Sequence, residues 1–217
     1  GSRLKELVAH AQSHGARVKE QPRDLLDQLT QGAAHQGVVA FCPPLTPEGE
    51  ESLWLKLRAW PSNTPPLLLI LDGVTDVHNF GACLRSADAA GAHGVIVAKD
   101  KAAPLNATVR KVACGAAEVV PVYQGTNLAR TLAKLKDAGV WITGTAGEAE
   151  ASVFDIDMTG PTALVMGAEG KGMRRLTREA CDNLAKLPMA GEVSSLNVSV
   201  ATGICLFEAV RQRQLAS

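Results

Sequence analysis

Polar and small side chains follow apolar runs at three places in this sequence, and their types are those that carry chemistry. Residues 79–87 supply an asparagine and an arginine, residues 167–172 a glutamate, and residues 191–197 two serines and an asparagine. Amide, hydroxyl, carboxylate and guanidinium groups bind polar ligands and polarise or move protons. Because loops after parallel strands meet at the carboxyl edge of a sheet, we expect the three segments to form one ligand site.

The turn that holds Gly191, Ser194, Ser195 and Asn197 leads from a short apolar strand, residues 184–189, into a strongly apolar helix. A helix begins with unpaired N–H groups and the positive end of its dipole, where hydroxyl and amide side chains serve as caps. One interpretation is therefore structural, with Ser194 or Ser195 capping the helix. The other places these side chains in the ligand site, and the turn alone does not decide between them.

Arg85 stands in a run of small apolar residues that opens with Asn79, a suitable N-cap, and includes Gly81, which permits close approach of a neighbouring backbone. A buried guanidinium without a partner is costly, so Arg85 should lie beside an anion or face a cleft. A structural ion pair with Asp76 or Asp88 and a role in a cleft are equally compatible with the sequence.

The glycine-rich segment 167–172 is not a phosphate-binding P-loop, because its spacing is short and Gly172 follows Lys171. Nor does it carry the glycine fingerprint of a dinucleotide site. Glu169 is a carboxylate in an apolar setting. Its structural role would be to hold Lys171 or an arginine, and its functional role would be to bind a hydroxyl or orient a base. Residues 143–147 add a fourth loop of small residues.

The composition is that of an α/β protein with an aliphatic core. Of the 217 residues 46% are hydrophobic and only 4% aromatic, and the length allows one large domain or one domain with a fragment of another. A formal net charge of zero argues against non-specific coating of nucleic acid but permits local basic patches.

Five scattered cysteines without CxxC spacing predict a reduced, cytoplasmic protein without disulfides or a metal site. With no apolar run near the ~20 residues of a membrane span and no signal-peptide pattern, we expect no membrane partner.

From residue 65 onward, short apolar runs alternate with helical segments, which predicts βαβ units and a parallel sheet covered by helices on both faces. Predicted strands lie at residues 65–74, 94–100, 118–123, 141–146, 162–169 and 183–189, and predicted helices at 76–91, 106–114, 127–138, 174–181 and from the last turn to about Arg213.

The first 43 residues have too few strands for a good sheet, so we expect part of a small domain whose beginning is absent. The pattern predicts helices at 4–13 and 24–29 and strands at 17–19 and 37–41. Pro43, Pro44 and Pro47 then predict a linker over residues 44–64.

Three segments together resemble the SpoU (TrmH-like) RNA ribose 2′-O-methyltransferases of the SPOUT superfamily. They are NFGACLRSA at 79–87, LVMGAEGKGM at 164–173 and LPMAGEVSSLNVSVA at 187–201, and their order and separation also fit. The resemblance covers about residues 67–213. Relatives often carry Pro and Leu where this chain has Val77 and Phe80, and neither departure removes a polar group.

The resemblance implies a methyltransferase domain at 65–217 whose C-terminal segment forms a trefoil knot, preceded at 1–43 by part of an L30e-like RNA-binding domain. The similarity is greatest to the group that methylates a guanosine ribose in 23S ribosomal RNA. It also implies a cytoplasmic homodimer. The last helix agrees, because it carries apolar residues around much of its circumference, namely Val198, Val200, Ala201, Ile204, Leu206, Phe207 and Val210.

The resemblance further implies S-adenosylmethionine as cofactor. Family contacts fall on Gly167, Leu187 and Leu196, with Thr145, Ala146 and Met189 as neighbours. The family's functional polar residues fall on Asn79, Arg85, Glu169, Ser195 and Asn197. For RNA binding we select cations of short basic groups, Arg110, Lys111 and Arg174, together with His35, for which a structural role in its turn is the alternative.

Arg85 is the base that the family implies, yet arginine normally stays protonated, so removal of the hydroxyl proton and stabilisation of the alkoxide both remain open. Two other functions are weighed beside methyl transfer to ribosomal RNA. One is methylation of another RNA, such as tRNA, and the other is a non-catalytic RNA-binding scaffold. A nucleotide-dependent oxidoreductase is disfavoured by the missing glycine fingerprint.

Overall fold

The computed structural model describes residues 2–216, which fall into two compact units, one up to Pro43 and one from Pro44 onward. The first unit contains α1 (Ser2–Ser13) and α2 (Arg23–Leu29), in agreement with the two predicted helices. The predicted strands at 17–19 and 37–41 are wrong, since no strand is formed among residues 2–43. A strand requires a hydrogen-bonded neighbour, and residues 37–41 have none within the unit, where the Phe41 side chain is 84% exposed.

The described part of the second unit is built on an eight-stranded sheet in the order β1-β4-β3-β2-β7-β5-β8-β6, with all pairings parallel. At its centre β2 pairs with both β3 and β7, so that Ile70 lies opposite Ile96 and Val165. The strands are β1 (Glu48–Gly49), β2 (Leu67–Asp72), β3 (Gly94–Ala98), β4 (Val122–Gly125), β5 (Trp141–Thr145), β6 (Ala151–Ser152), β7 (Thr162–Gly167) and β8 (Asn183–Lys186).

Helices cover both faces of this sheet, as predicted. They are α3 (Glu50–Arg58), α4 (Val77–Ala89), α5 (Ala107–Ala113), α6 (Ala116–Val119), α7 (Leu128–Asp137), α8 (Arg175–Glu179) and α9 (Val198–Ala216), with a 3-10 turn at Val153–Asp155. Alternate residues of β2 enter two different cores: Leu69 packs with residues of α4, α5 and α9, and Ile70 packs with residues of α3 and α7. Strands buried on both faces explain why the apolar runs are continuous.

Regular structure also occurs where a linker is predicted. Within residues 44–64, β1 pairs with β4 and α3 buries Leu53, which is 1% exposed, against the sheet. The prolines of this stretch therefore bound a short strand and helix. At residues 118–121 the predicted strand is wrong in its first half, because α6 ends at Val119 and β4 begins only at Val122.

Asp76, and not Asn79, caps α4. The Oδ1 atom of Asp76 accepts a hydrogen bond of 2.8 Å from the backbone N–H of Asn79, which is the third residue of the helix. Both side chains suit a cap, so the sequence pattern places the cap three residues late. Because Asp76 supplies the cap, the side-chain amide of Asn79 is left to bond with other residues.

The contact between α4 and α5 depends on Gly81. A Cβ there would lie 2.8 Å from Val112 Cβ and 2.9 Å from the Val109 carbonyl oxygen. Gly81→Ala should therefore lower the free energy of unfolding by about 1–3 kcal/mol through overpacking. Urea unfolding followed by tryptophan fluorescence measures it, since all three tryptophans lie in the second unit.

Gly160→Ala is the matched control for this substitution, because a Cβ at residue 160 meets nothing within 4 Å. It should change the free energy of unfolding by no more than about 0.5 kcal/mol. Equal destabilisation by the two substitutions would contradict the close approach of α4 and α5.

Candidate active site

A cavity of about 750 Å³ opens at the carboxyl edge of the sheet, among the loops that follow β5, β7 and β8. This cofactor cavity, as we call it below, brings together the segments that the sequence places after separate strands. All six residues predicted to contact the cofactor line it, namely Thr145, Ala146, Gly167, Leu187, Met189 and Leu196. Parallel strands direct these loops to one edge, which is why distant segments converge.

The loop after β7 is narrow where its two ends meet at Gly167, and we call this point the neck of the loop. A Cβ on Gly167 would lie only 2.3 Å from the backbone carbon of Gly172 and the nitrogen of Met173. Ala168 and Gly172 exchange two backbone hydrogen bonds across this neck, of 3.2 and 2.8 Å. Glycine is therefore required at residue 167 for the loop to close and to present Glu169 at its tip.

The far end of the same loop is fixed by Asp72, whose carboxylate is completely buried at the end of β2. Arg174 donates to it twice, from its backbone N–H at 2.7 Å and from Nε at 2.6 Å. A buried carboxylate needs such partners, so Arg174 has a structural partner where we predicted an RNA contact. Asp72 is not among the predicted site residues, although a charged residue that ends the apolar run LLLILD is a visible signal.

Glu169 joins the three motifs of the site. Its Oε1 atom accepts hydrogen bonds from Asn197 Nδ2 at 2.6 Å, from Asn79 Nδ2 at 3.4 Å and from the backbone N–H of Val198 at 3.1 Å. The structural alternative, in which Glu169 holds Lys171 or an arginine, is wrong, since Glu169 forms no ion pair within residues 2–216. The carboxylate instead meets the positive end of α9, where a negative charge is favourable.

Asn197 performs the capping that Ser194 or Ser195 would have performed. Its Oδ1 accepts from the backbone N–H and the hydroxyl of Ser199, at 2.9 and 2.6 Å. Its amide also donates to Asn79 Oδ1 at 2.9 Å. Ser194 and Ser195 are exposed and line the cofactor cavity instead, so the structural interpretation of the two serines is wrong.

Arg85 lies on the exposed side of α4 and does not line the cofactor cavity of its own chain. Cys83, Leu84 and Ala87 occupy the buried side of the helix, and 3.6-residue periodicity therefore directs residue 85 toward solvent. The structural alternative, an ion pair with Asp76 or Asp88, is wrong, because Arg85 has no acidic partner in the part of the chain that the structure describes.

His35, in the first unit, is part of a closed turn. Its Nδ1 accepts from the backbone N–H of Gly37 at 3.0 Å, so Nε2 carries the proton and donates to Asp27 Oδ1 at 2.9 Å. With both nitrogens bound and its side chain only 3% exposed, the ring fits the structural alternative and not the RNA contact.

Two further cations were predicted to bind RNA. Arg110 donates to Glu118 Oε1 at 2.7 Å from both Nε and a terminal nitrogen, so its charge is partly neutralised. Lys111 is an exposed neighbour on the same helix, α5.

Cys83 is a buried thiol on α4. Burial raises the pKa of Cys83 to about 11, although a hydrogen bond with Thr202 on α9 opposes the rise. The thiol is therefore protonated near neutral pH.

Among residues 2–216 no group of three His, Cys, Asp or Glu is placed to hold a metal ion. Within the same residues, no helix has the length and apolar character needed to cross a membrane.

Two protein-family models match this chain, one in its first part and one in the remainder. The model of the SpoU rRNA Methylase family matches residues 66–207, and a model described as RNA 2′-O ribose methyltransferase substrate binding matches residues 1–48. The chain is 61% identical over 213 residues to the 23S rRNA (guanosine-2′-O-)-methyltransferase RlmB of Pseudomonas putida, covering 98% of this chain and 85% of the relative. The Escherichia coli K12 protein of that name is 59% identical over 211 residues, with 97% and 86% covered.

Solved structures show the same fold. An AdoMet-bound rRNA methyltransferase from Sinorhizobium meliloti has a TM-score of 0.75 at 28% identity, covering 97% of this chain and 77% of that one. The SpoU methyltransferase AviRb from Streptomyces viridochromogenes, in complex with AdoMet, has a TM-score of 0.65 at 34% identity, covering 71% and 60%. The family match, the two relatives and the shared motifs agree, and the chain belongs to the SpoU rRNA methylase family.

Proposed function

We propose that this chain transfers a methyl group from S-adenosylmethionine to the ribose 2′-hydroxyl of a guanosine in 23S ribosomal RNA. The observation that carries the proposal is the single carboxylate oxygen of Glu169, which joins Asn79 and Asn197 at the edge of the cofactor cavity. The relatives of about 60% identity that are named for this reaction align with nearly the whole chain.

The cofactor cavity fits S-adenosylmethionine in size and in lining. Its volume of about 750 Å³ lies within the range of small-molecule sites, and its walls are mostly small or apolar residues. Thr145, Ala146, Gly167, Leu187, Met189 and Leu196 would hold the cofactor. When bound, S-adenosylmethionine supplies an electrophilic methyl group on its sulfonium.

The chain's own residues position and activate the ribose. A neutral hydroxyl is a poor nucleophile, and a site must align it and stabilise the oxygen as its proton leaves. A guanidinium is a hydrogen-bond donor and not an acceptor, so we assign Arg85 to the developing alkoxide and a neighbouring phosphate. Its lack of an acidic partner among the described residues leaves its donors available to RNA. Glu169, Ser195 and Asn197 orient the ribose at the cavity.

A homodimer explains how an exposed Arg85 takes part in catalysis. On α9, the side chains of Val200, Ile204 and Phe207 are 51%, 36% and 49% exposed and form one apolar stripe, while Cys205 and Leu206 are buried on the opposite side. The helix packs beside α4, which carries Arg85. A two-fold partner on this stripe would bring Arg85 of one chain toward the cofactor cavity of the other.

The remaining assignments rest on topology and on the match of residues 1–48. We propose that residues 1–43 belong to an L30e-like RNA-binding domain, which the substrate-binding model supports. We also propose a trefoil knot at the C-terminus, supported by β8 entering the sheet between β5 and β6 before α9 returns to α4. A cytoplasmic location follows from a ribosomal RNA substrate.

Arg85→Ala should lower single-turnover methyl transfer to ribosomal RNA by about 100-fold or more, the loss expected for a group that acts on the transferred proton or its oxygen. Calorimetric affinity for S-adenosylmethionine and the melting temperature should both stay unchanged, because Arg85 does not line the cofactor cavity of its own chain and has no acidic partner among residues 2–216. Arg85→Lys should restore little of the methyl transfer, since the compact lysine ammonium does not reproduce the planar, forked arrangement of guanidinium donors.

Arg175→Ala is the matched control for Arg85, because Arg175 is an exposed arginine whose ion pair is local, with Glu179 at 2.7 Å. It should leave turnover within a few-fold of the unchanged chain. A melting temperature lowered by Arg85→Ala, with methyl transfer preserved, would end the catalytic assignment.

A comparison of Asn197→Ala with Ser195→Ala distinguishes the capping of α9 from a role in methyl transfer. Asn197→Ala should lower the free energy of unfolding by about 1–2 kcal/mol, since it removes the cap of α9 and a partner of Glu169. Ser195 makes no such bonds among the described residues, so its alanine variant should keep the stability and lose methyl transfer alone. Urea unfolding and single-turnover rates on both variants test this. Equal stability of the two variants would contradict the capping role of Asn197.

Phe207→Glu combined with Ile204→Glu should yield a monomer in sedimentation velocity, because two charges on the apolar stripe of α9 would be buried in the interface. Methyl transfer should fall with it, while S-adenosylmethionine binding persists. Val119→Glu is the control, since Val119 is 67% exposed on α6. A parent chain that is monomeric at micromolar concentration would refute the dimer.

A further inference from the structure

A second cavity of about 760 Å³ lies at the opposite edge of the sheet and is unused by the proposed reaction. Pro66, Val140 and Pro161 line it, and these residues immediately precede β2, β5 and β7. Its other walls are α3, the loop after α3 and the last turn of α7. We call it the amino-edge cavity. Since the cofactor cavity lies at the carboxyl ends of the same strands, the two are separate sites.

Two tryptophans, Trp54 and Trp60, form part of the wall of the amino-edge cavity. The indole Nε1 of Trp60 donates to the Thr64 carbonyl oxygen at 2.5 Å, and the ring meets His93 edge-on, with centroids 4.6 Å apart. Pro61 and Pro65 restrict the backbone on either side of this contact. A preformed aromatic wall binds a flat ligand without first ordering the loop, which lowers the entropic cost of binding.

Two cations of the cavity have no acidic partner within the described residues. Arg58 and Lys134 are exposed and form no ion pair there, and Lys134 Nζ lies 5.3 Å from the ring centroid of Trp54. Asp137 supplies one opposing charge, so the cavity is positive by one unit. Among residues 2–216, Trp54 Nε1 is also a buried donor without a hydrogen-bond acceptor. The two exposed cations favour an anionic ligand, whereas the buried Nε1 atom is out of its reach.

We propose that the amino-edge cavity binds a nucleotide of single-stranded RNA, an inference that rests on the proposed function. Aromatic side chains beside unpaired cations are the combination that binds single strands, since bases stack on the rings and phosphates meet the cations. Such binding is tolerant of sequence. The site would hold a strand flanking the methylated nucleotide and would contribute affinity for substrate without taking part in methyl transfer.

The test uses the three tryptophans of the chain. In Trp141→Phe, emission comes only from Trp54 and Trp60, which both line the cavity. Titration with octauridylate, which contains no guanosine, should then quench the fluorescence to saturation. Arg58→Gln and Lys134→Gln should each weaken the binding and lower the slope of log Kd against log salt by about 0.7, the value for one phosphate contact on a single strand.

Lys56→Gln is the matched control, because Lys56 is exposed on α3 beside Arg58 and does not line the cavity. Unchanged emission in octauridylate, or equal weakening by Lys56→Gln, would overturn the proposal. So would quenching by a proline-rich peptide where octauridylate gives none. S-adenosylmethionine binding and methyl transfer are measured on the same variants. Retained quenching with absent methyl transfer would count against the proposed function alone, and normal methyl transfer without quenching against this proposal alone.

Discussion

One carboxylate oxygen of Glu169 holds the candidate active site together. It accepts from the side chains of Asn79 and Asn197 and from the first backbone N–H of α9. The donors belong to two segments far apart in sequence, and Glu169 lies in a third, so the carboxylate links the start of α4 and the start of α9 to the loop after β7. A carboxylate at a helix N-terminus gains from both the dipole and the unpaired N–H groups.

The Glu169 loop is itself fixed at both ends, by two different physical constraints. At its start the backbone closes on Gly167 too tightly for any side chain. At its end Arg174 neutralises the buried carboxylate of Asp72, and this pair ties the loop to the central strand β2. A steric constraint and a buried ion pair therefore position one carboxylate, which explains how a loop of small residues presents a defined site.

The sheet was predictable from sequence because its strands are buried on both faces. Continuous apolar runs such as LLLILD carry a strong signal, and each predicted helix of the second unit occurs within a few residues of its predicted position. The convergence of the loops followed from the rule that parallel strands end at one edge, whereas the six cavity residues were implied by the resemblance to the SpoU family. Strand β1 and helix α3 were missed because prolines mark boundaries and say little about the short elements between them.

What the sequence could not give was the choice between equivalent partners. Asp76 and Asn79 both suit an N-cap, as do Ser194, Ser195 and Asn197, and only packing selects among them. The strands predicted in the first unit failed for a related reason, since a strand forms through pairing that local sequence does not specify. These errors concern tertiary partners and not the type of site.

Three arginines show why the partners of a side chain decide its role more than its type does. Arg174 donates to the buried carboxylate of Asp72. Arg213 is half-buried, its pKa is lowered by burial, and it donates to four backbone carbonyl oxygens, those of Pro65, Pro66, Met158 and Gly160. Both arginines therefore use their hydrogen-bond donors to stabilise the fold. Arg85 has no acidic partner among the described residues and lies on the exposed side of α4. A guanidinium in that state has its donors free for an oxygen that becomes negative only during reaction, which is where electrostatic stabilisation accelerates chemistry.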